Sequence, residues 1–227
     1  KMSDFLETEL YSISQYLISE VLSNQPDYFI DQLIDISGLN RFCAELIGEV
    51  LQNKGGNKLI KWLIDSNMFL ISIDSEQRWF RYHHLFQELL QKQLLKKRTP
   101  KQIKDLNLRS SAWFEKNEFI AEAIEYAIKA DDTERAIKII KENWEDTFEK
   151  DLWCTVEGWL TFIPEESVNQ SVNLLLVRVW IAFKQHRIFD IPALIDLIEQ
   201  CDAELTNTEL GYFAYANSMI SYFTDSG

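Results

Sequence analysis

Residues that break regular structure are scarce in this chain: seven glycines and four prolines among 227 residues. A turn-rich all-β fold needs many more, so the scarcity favours long helices. Cysteine is scarcer still. Cys43, Cys154 and Cys201 lie far apart without CxxC spacing, and an odd, scattered set reads as the reduced thiols of a cytoplasmic protein. No apolar run approaches the roughly 20 residues of a membrane span; the run at 174–177 is far shorter, and no signal-peptide pattern opens the chain. Phosphate-binding and nucleophile signatures are missing as well. No G-x-x-x-x-G-K-[ST], GxGxxG or GxSxG occurs, and the paired glycines of NKGGNK lack both the spacing and a preceding strand. The chain is therefore not expected to be an enzyme by itself. Positive charge is the last deficit: 23 Lys+Arg stand against 36 Asp+Glu, a formal net of −13. Residues 1–100 hold −2 of that and residues 101–227 hold −11. So acidic a surface repels phosphate backbones, and direct DNA binding is not expected.

What is present is the material of a core, 46% hydrophobic with 13% aromatic residues. Leu6, Leu10, Ile13, Leu17 and Val21 repeat at helical spacing and predict a first helix. Asn24-Gln25-Pro26 stops it, and Pro26 suits the first turn of a second helix that runs to about Ile36. Cys43, Ala44, Leu46, Ile47, Val50 and Leu51 mark a third, broken by Gly55-Gly56. A short fourth covers about 58–66, with Leu59, Ile60, Leu63 and Ile64 inward. The period then changes. FLISI (69–73) and RWFRY (78–82), separated by the polar turn DSEQ, predict a β-hairpin. Short helices followed by a hairpin give the order of a winged helix, placed at 1–98. From Pro100 everything reads as helix, with later segments at about 152–162, 172–184, 192–201 and 209–223. Joined by short polar turns, such helices stack into a solenoid, placed at 101–227. Ile103, Leu106, Trp113 and Phe114 are expected on one buried face. Ala123, Ala127 and Ala130 resemble the second helix of a tetratricopeptide repeat, where small residues let paired helices approach; Ala127 departs from it, standing where that repeat usually has an aromatic. The predicted fold is mainly α: a winged-helix domain with a small β-hairpin, followed by a TPR-like α-helical superhelix.

Two of the three histidines are adjacent, in RYHHLFQELL (81–90). Neighbours on a helix point about 100° apart and no second ligand cluster is evident, so His83 and His84 are not expected to hold a metal. Two readings stay open: the pair caps a strand-to-helix junction, or it senses a phosphate. His186, in KQHR, reads as a surface or capping residue near a helix end. Glu165 and Glu166, directly after Pro164, read as the acidic first turn that complements a helix dipole.

The run WFRYHHLFQELL, a linker, then SAWFEKN and AEAIEYAIKADD, resembles the MalT family, large ATP-dependent LuxR-type bacterial regulators of the STAND class of signalling ATPases. FIDQLIDISGLNRFCAELI (29–47) resembles the start of that family's winged helix, and the likeness covers roughly residues 10–200. It implies an internal segment: a nucleotide-binding domain upstream, the first part of an inducer-binding superhelix here, and a helix-turn-helix effector downstream. ATP and ADP would belong to the parent protein, and this segment alone would hold no cofactor. In the wider STAND class a Met-His-Asp motif closes the winged helix, and its His reaches the β-phosphate of ADP. Tyr82-His83-His84-Leu85 occupies that place, which makes His83 the candidate phosphate sensor; His84 stands where Asp is usual. An imidazole can donate to a phosphate, and a helix N-terminus favours the anion. The resemblance thus implies a cytoplasmic transcriptional activator whose winged helix holds the nucleotide-dependent off state. Its partners would be the upstream domain, an inducer or protein on the helical array, and further copies of itself when active. The alternative is a TPR-like protein–protein scaffold without a nucleotide switch. A DNA-binding winged helix is a weaker rival, because its would-be recognition helix offers only Lys58 and Lys61.

Overall fold

A computed structural model describes residues 26–66, 69–201 and 205–224. The helix expected over 6–21 lies outside the described residues. The chain divides into two compact units, 1–113 and 114–227.

In the first unit, α1 (Asp27–Asp35) starts after Pro26, which stands at the N-cap. A 3-10 turn, Ile36–Gly38, ends it, and Leu33, Ile34 and Ile36 are buried. α2 (Ala44–Val50) buries Leu46, Ile47 and Val50. Gly55 and Gly56 do more than break a helix: Gly55 caps α3 (Gly56–Asp65) and Gly56 begins it. A Cβ on Gly56 would lie 2.0 Å from the Ala44 carbonyl oxygen, so only glycine lets α3 start this close to α2. On α3, Leu59 and Leu63 are buried and Ile60 lies at the margin, but Ile64 is 47% exposed. The apolar stripe is narrower than expected, because Ile64 sits past the edge that Ile60 marks.

The hairpin is shorter than its apolar runs. β1 (Leu70–Ser72) and β2 (Phe80–Tyr82) pair antiparallel, with Leu70 opposite Tyr82 and Ser72 opposite Phe80. Asp74 holds the turn, its Oδ1 accepting from Arg78 N and Trp79 N at 3.0 Å each. On its other edge, Phe80 exchanges both backbone hydrogen bonds with Phe42, at 2.8 and 2.9 Å. That bridge anchors the wing to the segment before α2. α4 (His84–Lys97) follows and buries Phe86, Leu90 and Leu94, four residues apart. Its Gln87 Nε2 donates to the Ser37 and Leu39 carbonyls (3.0 and 2.9 Å), and Gln91 Nε2 to Ser37 (3.0 Å), satisfying carbonyls left open after α1. Arg98, the C-cap of α4, makes a two-pronged bond to Asp35, at 2.6 and 3.1 Å. That pair, helped over burial's opposing effect, raises the Arg98 pKa.

α5 (Pro100–Lys116) contains the division between the units. Thr99 and Gln102 form a reciprocal capping box at its start, Thr99 N donating to Gln102 Oε1 (2.9 Å) and Gln102 N to Thr99 Oγ1 (3.3 Å). Of the four residues assigned to one buried face, Leu106 and Phe114 are buried, whereas Ile103 and Trp113 are only half-buried. Consecutive side chains on a helix diverge by about 100°, so Trp113 lies well around the helix from Phe114, at the margin of the buried face. Trp113 instead meets the wing's Trp79 edge-on at 6.0 Å, and Arg41 covers the Trp79 ring at 4.3 Å.

The second unit continues with α6 (Ile120–Lys129), α7 (Thr133–Glu149), α8 (Trp153–Leu160), α9 (Glu165–Asn169), α10 (Val172–Lys184), α11 (Ile191–Gln200) and α12 (Asn207–Thr224). α6 and α7 form a hairpin around Ala123, Ala127, Ala130 and Ala136, all buried, and Phe114 stacks on Tyr126 at 5.3 Å. Arg135 bonds Glu115. α10 is buried around most of its circumference, including Leu174, Leu175, Leu176 and Val177, as suits a central helix. α11 packs on it through Ile191, Ile195 and Ile198. The three cysteines are free: Cys43 buried, Cys201 half-buried and Cys154 exposed. Burial pushes the Cys43 thiol up to about 11, which makes it a poor source of thiolate.

Candidate functional site

The junction between wing and helix is built by the change of period. Tyr82, the last residue of β2, is fully buried, edge-on to Phe86 at 5.2 Å and 5.0 Å from the Phe42 ring. The next residue leaves the sheet. His83 N donates to the Phe69 carbonyl at 2.8 Å, closing the hairpin, while the His83 carbonyl accepts from Gln87 N at 3.0 Å and opens α4. His83 is therefore the N-cap residue in extended conformation (φ −62°, ψ 137°), but its side chain makes no cap hydrogen bond. The capping is done by its backbone alone. Its ring is half-buried, and that of His84, in the first turn, is exposed. The ring centroids are 4.4 Å apart with 34° between planes. The two imidazoles thus lie side by side, unlike neighbours within a helix, because His83 stands outside the helix and is free of its angular step. Among the described residues no group of three or more His, Cys, Asp or Glu could hold a metal ion. No acidic residue occupies the first turn of α4, so its leading N–H groups and dipole share the same edge with two imidazoles.

His186 lies elsewhere, exposed at the residue after the α10 C-cap with φ 56°. Pro164 is the N-cap of α9, and Glu165 and Glu166 are in its first turn. Glu165 has a second role, a two-pronged bond to Arg178 at 2.6 and 2.5 Å, and the Arg178 guanidinium holds its carboxyl below the ordinary value.

That pair belongs to a cleft of about 770 Å³ in the second unit, lined by α8, α10, α11 and the turn at 187–190. Leu160, Ile181 and Leu194 are part of its apolar lining, and Phe189, 97% exposed, stands at its rim. Arg187 Nη1 bonds Asp190 at 3.0 Å and its Nε bonds Gln185 Oε1 at 2.6 Å. Gln185 Nε2 in turn donates to Glu157 at 2.9 Å. The sequence does not announce this cleft, because its residues carry no motif and come from separate helices.

Residues 18–103 match the MalT winged helix domain. The chain is similar to the transcriptional regulator MalT of Vibrio campbellii, 28% identical over 211 residues that make up 91% of this chain and 23% of that protein. The MalT of Cronobacter sakazakii is 26% identical over 202 residues, 88% of this chain and 22% of the relative. The serine/threonine-protein kinase PknK of Mycobacterium tuberculosis is 24% identical over 168 residues, 74% of this chain and 15% of the kinase. The chain thus spans about a quarter of the curated MalT relatives and less of the kinase.

Proposed function

From a chain that is MalT-like over most of its length, with a MalT winged helix domain at 18–103, we propose a regulatory segment of a STAND-type, ATP-dependent signalling protein, a transcriptional activator in its full-length form. The winged helix holds the nucleotide-dependent off state, with His83 reaching an ADP phosphate bound by an upstream domain. The helical array over 101–227 receives an inducer or a protein partner. One observation carries the sensor assignment. The His83 backbone is fixed by two hydrogen bonds at the start of α4 and its side chain makes no cap bond, so the imidazole stands beside the helix N-terminus without serving as its cap. A phosphate there would also meet the positive end of α4. The likeness to a kinase as well as to MalT regulators favours a switch module whose output depends on the domains attached to it.

The test is ADP retention in the parent protein. Loss of one charge-assisted hydrogen bond is worth roughly 1.5–3 kcal/mol, so His83→Ala is expected to weaken ADP binding by about ten- to a hundredfold and to raise inducer-independent activity. His84→Ala, with its exposed ring, is expected to do less. If both variants keep parental ADP affinity and only lower the melting temperature, the pair is structural and the sensor reading fails.

A further inference from the structure

The charges around the cleft of the second unit do not balance. Arg178 is taken up by Glu165 and Arg187 by Asp190, each pair at hydrogen-bonding distance. Among the described residues, Glu157, half-buried on α8, hydrogen-bonds only the neutral amide of Gln185, which stands between it and Arg187. Three carboxylates against two guanidiniums leave the lining one negative charge in excess, beside the apolar surface of Leu160, Ile181 and Leu194. A carboxylate in such surroundings gains from a cation that brings its own apolar body, because the cation compensates the charge while the body displaces water from the lining. The volume of about 770 Å³ falls within the range of small-molecule sites. At longer range, the net charge of −11 over residues 101–227 attracts cations and repels anions.

We propose that this cleft binds a small organic monocation: an amine whose ammonium group pairs with Glu157 and whose apolar body lies on Leu160, Ile181 and Leu194, with Phe189 at the rim closing over it. This rests on the reading of 101–227 as the ligand-receiving array and names the chemical class it takes. Arg178 and Arg187 serve as walls, their charges already spent on Glu165 and Asp190, so a carboxylate ligand would have to displace one of them.

The 227-residue chain is titrated with phenethylammonium, followed by NMR, beside phenethyl alcohol and hydrocinnamate as neutral and anionic counterparts of similar size. The ammonium compound alone is expected to shift the resonances of Glu157, Ile181 and Leu194 at millimolar concentration. Glu157→Gln, which keeps the Gln185 contact and removes the charge, should weaken that binding about tenfold, and Leu194→Trp, which fills the cleft, should abolish it. Melting temperatures confirm that both variants are folded; if Leu194→Trp is not, the Glu157→Gln comparison decides. Equal binding of the alcohol, parental affinity in Glu157→Gln, or no shift with the ammonium compound overturns the proposal. If the cleft binds the amine as expected while no amine alters the parent protein's output, the cleft assignment stands and the ligand-receiving role of the array fails.

Discussion

Tyr82 is fully buried beside the candidate sensor, and its hydroxyl has no hydrogen-bond partner among the described residues. The same burial drives its pKa well above the ordinary phenol value, since a phenolate there would lose its water without compensation. An unsatisfied buried hydroxyl costs about 1–3 kcal/mol. Tyr82→Phe keeps the ring contacts with Phe42 and Phe86 and removes the cost, so it is expected to raise stability by about 1 kcal/mol. Denaturant midpoints at unchanged slope measure this, and a loss of stability would reveal a partner for the hydroxyl. The adjacent His83 shows how far a residue can be read in advance: its place after a strand and before a helix was legible, but its half-buried ring without a cap bond was not.

At the level of elements, the shortage of glycine has a structural answer. α2, α5, α6, α7 and α10 each end with a non-glycine residue in the left-handed region: Gln52 (φ 52°), Glu118 (65°), Asp131 (53°), Asp151 (59°) and His186 (56°). Each end carries the paired hydrogen bonds of a Schellman motif. For α5, Phe119 N bonds Phe114 O at 2.9 Å and Glu118 N bonds Glu115 O at 3.1 Å. An L-residue in that conformation costs about 1–2 kcal/mol, which glycine avoids at some expense in unfolded-chain entropy. Because Glu118 is exposed, Glu118→Gly is expected to stabilise the chain by about 0.5–1 kcal/mol, and Glu118→Val, β-branched, to destabilise it. Thermal melting of the two variants should move in opposite directions; a drop for the glycine variant would show that the Glu118 side chain matters more than its backbone. These turns are polar but place no glycine at the left-handed position, which is why the helices were legible and their ending geometry was not.

For the molecule as a whole, the balance is between ion pairs and net charge. Lys184–Asp151 and Arg187–Asp190 are exposed pairs of a kind that contributes little, whereas a net charge of −13 disfavours compaction. The melting temperature is therefore expected to rise as monovalent salt is added up to about 0.5 M, where screening is nearly complete; a steady fall would mean that the pairs dominate. Acid acts with its own sign. Burial pushes the Glu209 carboxyl up, but the backbone N–H and hydroxyl of Thr206 and the Lys141 ammonium outweigh it, so the net shift is downward. Glu165 is also held low, by Arg178. Both carboxyls bind their proton less readily when folded. The stability they contribute is present above the ordinary carboxyl value of 4.5 and is lost as the pH falls below it.

Helical period, the switch to a hairpin and the order of a winged helix are local properties of the chain, carried by spacings of a few residues, and they are legible without any tertiary contact. The likeness to MalT could be read there too, because WFRYHHLFQELL and AEAIEYAIKADD are contiguous. Tertiary structure decided what depends on distant partners. Phe42 became a bridge only because Phe80 returned beside it, and Trp113 left the core for Trp79 while its neighbour Phe114 stayed. The cleft exists only where α8, α10 and α11 converge, and there Glu165 pairs with Arg178, Asp190 with Arg187, and Glu157 with the neutral amide of Gln185. Periodicity states which face of a helix is apolar; the neighbour that arrives determines whether that face is filled, left half-open or turned into a site.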